Sequence, residues 1–171
     1  LAFGSLAPLP PVVHLHGIFY FCWMLLLVLQ SVLINTRNVP LHKTLGTFGI
    51  FVATGMLALG ALLTVLFTGV GHQNPAPTFY PLSYLSIVAV VGFGVLFCLS
   101  IRSIRRPLDH KRLMLFATIL LLPPGINRLY MVALGLADLP LLAPWLTMDA
   151  LALAIVVHDW RSSGRVSAAS I

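Results

Sequence analysis

The chain has 171 residues, of which 59% are hydrophobic and 8% are charged. Soluble domains carry about 25% charged residues, so this composition excludes an ordinary soluble enzyme. Ten Lys and Arg residues outnumber four acidic residues, all of them Asp, and the formal net charge is +6. Because the cations cluster beside apolar runs, they indicate membrane topology, and we expect no nucleic-acid partner.

Five apolar runs are long enough for transmembrane helices, which need roughly 20 mostly apolar residues. The sequence therefore predicts an all-α fold: one polytopic transmembrane domain over residues 1–171, with at least five spans. Because the first residue is Leu1 rather than Met, we expect further chain before it, and another helix there is an open alternative. The predicted spans cover residues 12–34, 45–70, 82–101, 113–136 and 141–157.

The charges between these runs predict the orientation. Nine of the ten cations fall in connections on one side of the predicted spans, which the positive-inside rule makes cytoplasmic. We therefore expect an integral membrane protein with Leu1 on the outer side and Ile171 on the cytoplasmic side, surrounded by the lipid bilayer and open to other membrane subunits as partners. The nine cations are Arg37, Lys43, Arg102, Arg105, Arg106, Lys111, Arg112, Arg161 and Arg165.

A short motif occurs twice. Pro40-Leu41-His42-Lys43 opens the second run, and Pro107-Leu108-Asp109-His110-Lys111 opens the fourth. Each follows a basic connection, which predicts that helices 1–2 and 3–4 are duplicated hairpins. Ordinary loop composition is the alternative explanation of so short a match.

Two of the six histidines suggest a cofactor. His42 and His110 lie at the predicted cytoplasmic ends of helices 2 and 4, and Gly46 and Gly49 share the helical face of His42. A face without side chains lets a flat macrocycle or another helix approach closely. The pattern predicts a b haem held between the two histidines in an electron-transfer module, with helix–helix packing as the alternative.

Other histidine sets are weaker alternatives. His158 lies at the same predicted depth as His42 and His110, so the three could bind a metal ion, with Asp109 or Asp159 as a further ligand. On the opposite side, His14 and His16 could bind a metal ion together with His72. No cofactor other than haem is expected.

Helix 4 combines a break with a buried charge. Pro123-Pro124-Gly125 predicts a kink, because proline removes a backbone donor and clashes with the preceding turn. Arg128 and Asp149 lie at matching depths in helices 4 and 5, which should be antiparallel neighbours, so we predict a buried Arg128–Asp149 ion pair. A small carrier built on this broken helix is one alternative function.

The sequence shows no Ser-His-Asp pattern, phosphate-binding loop or carboxylate pair, so it assigns no enzymatic activity. A non-catalytic accessory subunit of a larger membrane complex remains the alternative to the haem module.

The motifs His14-Leu15-His16-Gly17, Leu41-His42-Lys43-Thr44-Leu45-Gly46 and His110-Lys111-Arg112-Leu113-Met114-Leu115 resemble a family of uncharacterised, multi-pass proteobacterial inner-membrane proteins. The resemblance covers most of the chain and implies an inner-membrane location without an activity. Members of that family are longer, which implies further terminal helices. A looser likeness to four-helix transmembrane b-type cytochromes implies ligand roles for His42 and His110, although helix 3 carries no histidine.

Overall fold

A computed structural model describes residues 10–73, 79–136 and 142–163 of the chain. These residues form helices joined by short turns, and no strand occurs among them, so the predicted all-α fold is confirmed. The elements in chain order are α1 (Pro11–Asn35), α2 (Val39–Gln73), α3 (Phe79–Arg102), α4 (Pro107–Ile119), α5 (Pro123–Arg128), a π-helical turn (Leu129–Ala133) and α6 (Ala143–Ser163).

Three helical segments are long and apolar enough to cross a membrane. They are Pro11–Asn35, Val39–Gly69 and Ser83–Arg102, and the mean hydropathies of their most apolar stretches are 2.2, 2.4 and 2.4. The chain itself buries only 17–22% of those stretches. Apolar surface left uncovered to this extent is what a lipid environment requires, so the helices are compatible with an integral membrane helical bundle.

The predicted fourth span is broken as expected. Helical structure stops after Ile119 and resumes at Pro123. The two parts meet at a bend of 47°, and together they are long and apolar enough to form one candidate span. The missing proline N–H and the steric demand of the prolines account for the break. The described residues thus contain three candidate spans, or four if the bent pair counts as one. A fifth is not confirmed, because Asp149, His158 and Asp159 make α6 more polar.

The chain divides into two compact units, residues 1–87 and 88–171, and the boundary falls inside α3. In the N-terminal unit, α1 folds back antiparallel onto α2. Trp23 and Leu26 of α1 and Val52, Ala53 and Met56 of α2 are buried. A Cβ atom on Gly49 would lie 3.0 Å from Leu26 Cδ2, so the small residues of α2 allow the two helices to approach closely.

The α1–α2 turn contains a strained residue. Asn38 N donates to Leu33 O at 2.8 Å, and Arg37 N donates to Ile34 O at 3.0 Å. This bonding defines a Schellman motif, whose turning residue is usually glycine because the backbone is left-handed there. Arg37 occupies that position with φ of 58°.

In the C-terminal unit, α4 and α5 both contact α6. Arg112 near the start of α4 bonds Asp159 near the end of α6, whereas Tyr130 after α5 bonds Thr147 early in α6. The two contacts run in opposite directions along the two segments, so α6 lies antiparallel to the bent helix formed by α4 and α5. This confirms the antiparallel pairing predicted for the fourth and fifth apolar runs.

We expect Gly55→Ala to destabilise the α1–α2 pair. A Cβ atom at this position would overlap the ring of Phe19, which itself packs 6.0 Å from the Phe51 ring, centroid to centroid. Overpacking of this kind costs about 1–3 kcal/mol. Thermal unfolding in detergent measures the loss, and Gly69→Ala is the matched control because a Cβ atom there has no neighbour within 4 Å. Equal midpoints for the two variants would contradict the packing seen here.

We expect Arg37→Gly to stabilise the N-terminal unit by about 1 kcal/mol, because glycine adopts a left-handed backbone without steric cost. Arg37→Ala is the control, since it removes the same charge and retains the strain. The comparison is the difference in unfolding free energy between the two variants. A more stable alanine variant would show that the φ of Arg37 carries no strain.

Candidate functional site

His110 is held by the end of the preceding helix. The Ser100 side chain is fully buried in the last turns of α3, and its hydroxyl donates to the His110 carbonyl oxygen at 3.0 Å. His110 Nδ1 lies 3.0 Å from both the Ser100 hydroxyl and the Ser100 carbonyl oxygen. Because a carbonyl oxygen can only accept, Nδ1 carries the proton that it donates there. In the neutral imidazole, the lone pair is then on Nε2.

The hydrogen bonds between Ser100 and His110 are of the kind that orients metal-binding histidines. A histidine that binds a metal through one ring nitrogen almost always donates its other N–H to a carbonyl, carboxylate or water, which fixes the ring and the tautomer. Ser100 provides such a bond to His110, which is half-buried at the start of α4. His110 is therefore oriented in the same way as a histidine that binds a metal through its Nε2 atom. Sequence analysis missed Ser100, and its one indication was a hydroxyl near the end of an apolar run.

The turn between α3 and α4 holds the two residues in place. Ser103 N bonds Leu99 O and Ser100 O, both at 3.0 Å, and Arg106 N bonds Ser103 O at 2.7 Å. Pro107 then begins α4 at a position where a missing N–H costs nothing. The short turn places Ser100 and His110 within hydrogen-bond distance although they are ten residues apart.

His42 lies in the first turns of α2 and is half-buried. Its backbone N donates to Asn38 O at 3.1 Å. His42 belongs to the N-terminal unit and His110 to the C-terminal unit, so their pairing on one iron stays a prediction.

The glycine face beside His42 is occupied. Cβ atoms on Gly46 and Gly49 would lie 3.9 Å from Gln30 Nε2 and 3.0 Å from Leu26 Cδ2, both on α1. The structure thus places these two predicted cofactor residues against α1, because the tight turn folds α1 onto the smallest face of α2. A macrocycle does not fit on that face while α1 covers it, so the fit to haem rests on the histidines.

The other histidines are dispersed. His158 has a side chain that is 77% exposed, and its Nδ1 lies 3.8 Å from Asp159 Oδ1. His14 is exposed and His16 half-buried on α1, whereas the side chain of His72 lies outside the described residues. Within the described ranges, no group of three or more His, Cys, Asp or Glu side chains could hold a metal ion together.

The buried ion pair joins residues other than those predicted. Arg112 Nε donates to Asp159 Oδ2, and the two side chains are 8% and 9% exposed. Arg128 and Asp149 are both exposed, and no ion pair joins them in the part of the chain that the structure describes. The predicted depths were counted at the regular rise of an α-helix, whereas a π-helical turn follows Arg128 and the helical segment that carries Arg128 is bent by 47° from α4.

A second polar contact ties the broken helix to α6. Thr147 donates its hydroxyl to Ala143 O at 2.9 Å, so the 2.6 Å contact with Tyr130 is a bond that the tyrosine hydroxyl donates. This contact and the Arg112–Asp159 pair hold both parts of the bent helix against α6. Both sides of the break are therefore packed and hydrogen-bonded against α6. The Arg128–Asp149 ion pair on which the predicted carrier was based is not formed among the described residues.

The fold and the site define an all-α helical protein with several long apolar helices. Comparisons with family models, with curated proteins and with solved structures found no match to this chain.

We expect Asp159→Asn to destabilise the protein by about 3 kcal/mol, because it removes the carboxylate that is hydrogen-bonded to the buried Arg112 guanidinium. The double variant Arg112→Met/Asp159→Asn should recover much of this loss. Unfolding titrations in detergent measure the coupling between the two positions. Asp149→Asn is the control and should change stability by less than about 0.5 kcal/mol, since Asp149 is exposed. A larger effect at Asp149 than at Asp159 would contradict the pairing.

Proposed function

We propose that this chain is a multi-pass bacterial inner-membrane protein that transfers electrons through one b haem, which His42 and His110 would hold. The observation that carries the proposal is the bond from His110 Nδ1 to the Ser100 carbonyl oxygen, at 3.0 Å. It leaves Nε2 as the nitrogen with a lone pair, on a ring that the protein already orients.

The residues have separable roles in this proposal. His110 and His42 are the ligands, and Ser100 is a positioning residue that fixes the plane and tautomer of the His110 ring. When bound, haem supplies one-electron chemistry at its iron, and the two imidazoles and their hydrogen bonds tune its potential. Gly46 and Gly49 have no role in binding here, because α1 lies over them.

The membrane and its orientation are part of the proposal. Positive charge in the α1–α2 and α3–α4 connections and after α6 supports a cytoplasmic location for these segments, which places Leu1 in the periplasm and Ile171 in the cytoplasm. The resemblance to the proteobacterial inner-membrane family supports the same location. His42 and His110 would then bind haem near the cytoplasmic surface.

The test is a reduced-minus-oxidised visible spectrum of the protein purified in mild detergent, with iron quantified on the same sample. We expect a b-type spectrum that is lost in both His110→Ala and His42→Ala. His14→Ala is the matched control, because His14 is exposed on α1 and is not a ligand of the proposed haem. Ser100→Ala should keep bound iron but shift the midpoint potential, since the hydroxyl that contacts His110 is removed.

A folded sample from cells that make haem, with neither iron nor a visible spectrum, would refute the proposal. A spectrum that survives both His42→Ala and His110→Ala would refute the ligand assignment. Size-exclusion profiles and helical circular dichroism of each variant show whether loss of the spectrum reflects lost ligation or lost folding.

The second candidate function is that of an accessory subunit in a larger membrane complex. It is favoured by the large apolar side chains that the long helices leave exposed, such as Phe21 on α1, Val65 on α2 and Val91 on α3. Exposed apolar surface on α1, α2 and α3 would then bind other subunits as well as lipid. This function requires no bound iron and gives stable co-purification with other membrane chains in the sample used for the spectrum.

A further inference from the structure

We propose that the α3–α4 turn, with the end of α6, binds the phosphate groups of anionic phospholipids. The surface consists of Arg102, Arg105, Arg106, Lys111 and Arg161, with the apolar side chains of Ile104, Leu108 and Trp160, and we call it the basic turn surface. It lies wholly in the C-terminal unit and does not depend on the proposed haem.

The basic turn surface has a surplus of uncompensated cations. All five of its basic residues are exposed, and the structure describes no ion pair for any of them. The nearby carboxylates in the sequence are Asp109, which is half-buried, and Asp159, which is buried and bonded to Arg112. Because Asp159 already compensates Arg112, it is not available to the exposed cations. An anionic partner would meet little competition from the protein itself.

The turn that carries the cations is held in place on both sides. The bonds between Ser100 and His110 connect the end of α3 to the start of α4, and the Arg106 N–H is bonded to Ser103 O at 2.7 Å. The Arg112–Asp159 pair connects α4 to α6 close to Trp160 and Arg161. A surface built on a fixed turn loses less conformational entropy on binding than one on a mobile loop.

Exposed apolar residues lie beside the cations in the sequence. Ile104 is 62% exposed, Leu108 64% and Trp160 62%. Ile104 and Leu108 bracket Arg105 and Arg106 in sequence, and Trp160 precedes Arg161. Exposed side chains of both kinds suit the boundary between acyl chains and headgroups, where arginine bonds phosphate and tryptophan is enriched. A soluble anion would use the cations alone, so this composition favours a phospholipid.

The experiment measures lipid retained by the purified full chain in detergent, using native mass spectrometry with added cardiolipin, phosphatidylglycerol or phosphatidylcholine. We expect cardiolipin and phosphatidylglycerol to be retained and phosphatidylcholine to be released. Arg105→Gln/Arg106→Gln should reduce retention of the anionic lipids roughly tenfold or more, since each cation near a membrane surface contributes measurably to their binding.

Arg37→Gln/Lys43→Gln is the matched control. It removes two exposed cations from the other connection on the same predicted side of the membrane, and retention should change less than twofold. Ile104→Ser/Leu108→Ser keeps every charge, and we expect it to weaken retention of the lipids without creating affinity for a soluble anion. If the double arginine variant does not fold, Arg106→Gln alone gives the same comparison with a smaller effect.

Several results would overturn the proposal. Equal losses in the Arg105/Arg106 variant and the Arg37/Lys43 control would show a general charge effect. Competition by glycerol phosphate at the same concentration as the lipid would assign the surface to a soluble phosphate. Competition by an acidic peptide but not by lipid would assign it to a protein partner. By contrast, absence of a haem spectrum from a sample that still retains the anionic lipids would refute the proposed function and leave the lipid proposal standing.

Discussion

The structure depends on one constraint: helices in an apolar environment must satisfy their backbone hydrogen bonds and their hydroxyl groups from within. The hydroxyls of the long helices obey it. Thr54 donates to Ile50 O and Thr64 to Gly60 O, both at 2.8 Å, and Thr118 donates to Met114 O at 2.9 Å. The hydroxyl hydrogen atoms of these threonines are thus bonded within their own helices. The described polar contacts between helices therefore stand out, and in the C-terminal unit they are the Ser100–His110 cluster, the Tyr130–Thr147 bond and the Arg112–Asp159 pair.

The same constraint explains the use of glycine. Lipid chains are as apolar as leucine, so helices in a bilayer gain by close packing and by dispersion contacts. Gly49 lies under Leu26 and Gly55 under Phe19 in the N-terminal unit, and a Cβ on Gly92 in the C-terminal unit would lie 2.8 Å from Leu120 Cδ1. In each case a large side chain of one helix covers a position without a side chain on its neighbour. The glycines beside His42 follow this rule, which is why they do not form an open cleft.

Hydropathy and local chemistry were sufficient for the features that depend on composition alone. The first three spans, the break before Pro123 and the antiparallel pairing of the last two helices follow from apolar length, from the missing proline N–H and from a short connection. What the sequence could not give was the rotation of each helix about its axis. Arg112 was assigned to a connection because the apolar run begins at Leu113, whereas the helix begins at Pro107. The six additional residues, 107–112, form more than one helical turn, so Arg112 is part of α4 and its side chain faces Asp159.

The partner of a charge depends on this rotation more than on depth. Arg128 and Asp149 are at matching distances from the predicted helix ends, yet the bend of 47° and the π-helical turn after Arg128 change the direction in which the side chains project. A hydropathy profile contains no information about either change.

The Ser100–His110 contact is consistent with both proposed functions, because the same bonds close the α3–α4 turn whether or not an iron is present. Ser100 donates through its hydroxyl and accepts through its carbonyl oxygen, so the turn and the His110 tautomer are determined together. What these bonds add for a ligand role is the lone pair on Nε2, because they hold the proton on Nδ1. The distinguishing atom is Nε2, which makes no hydrogen bond to any residue that the structure describes. Occupation of that nitrogen by iron is the chemical difference between an electron-transfer protein and an accessory subunit with the same fold.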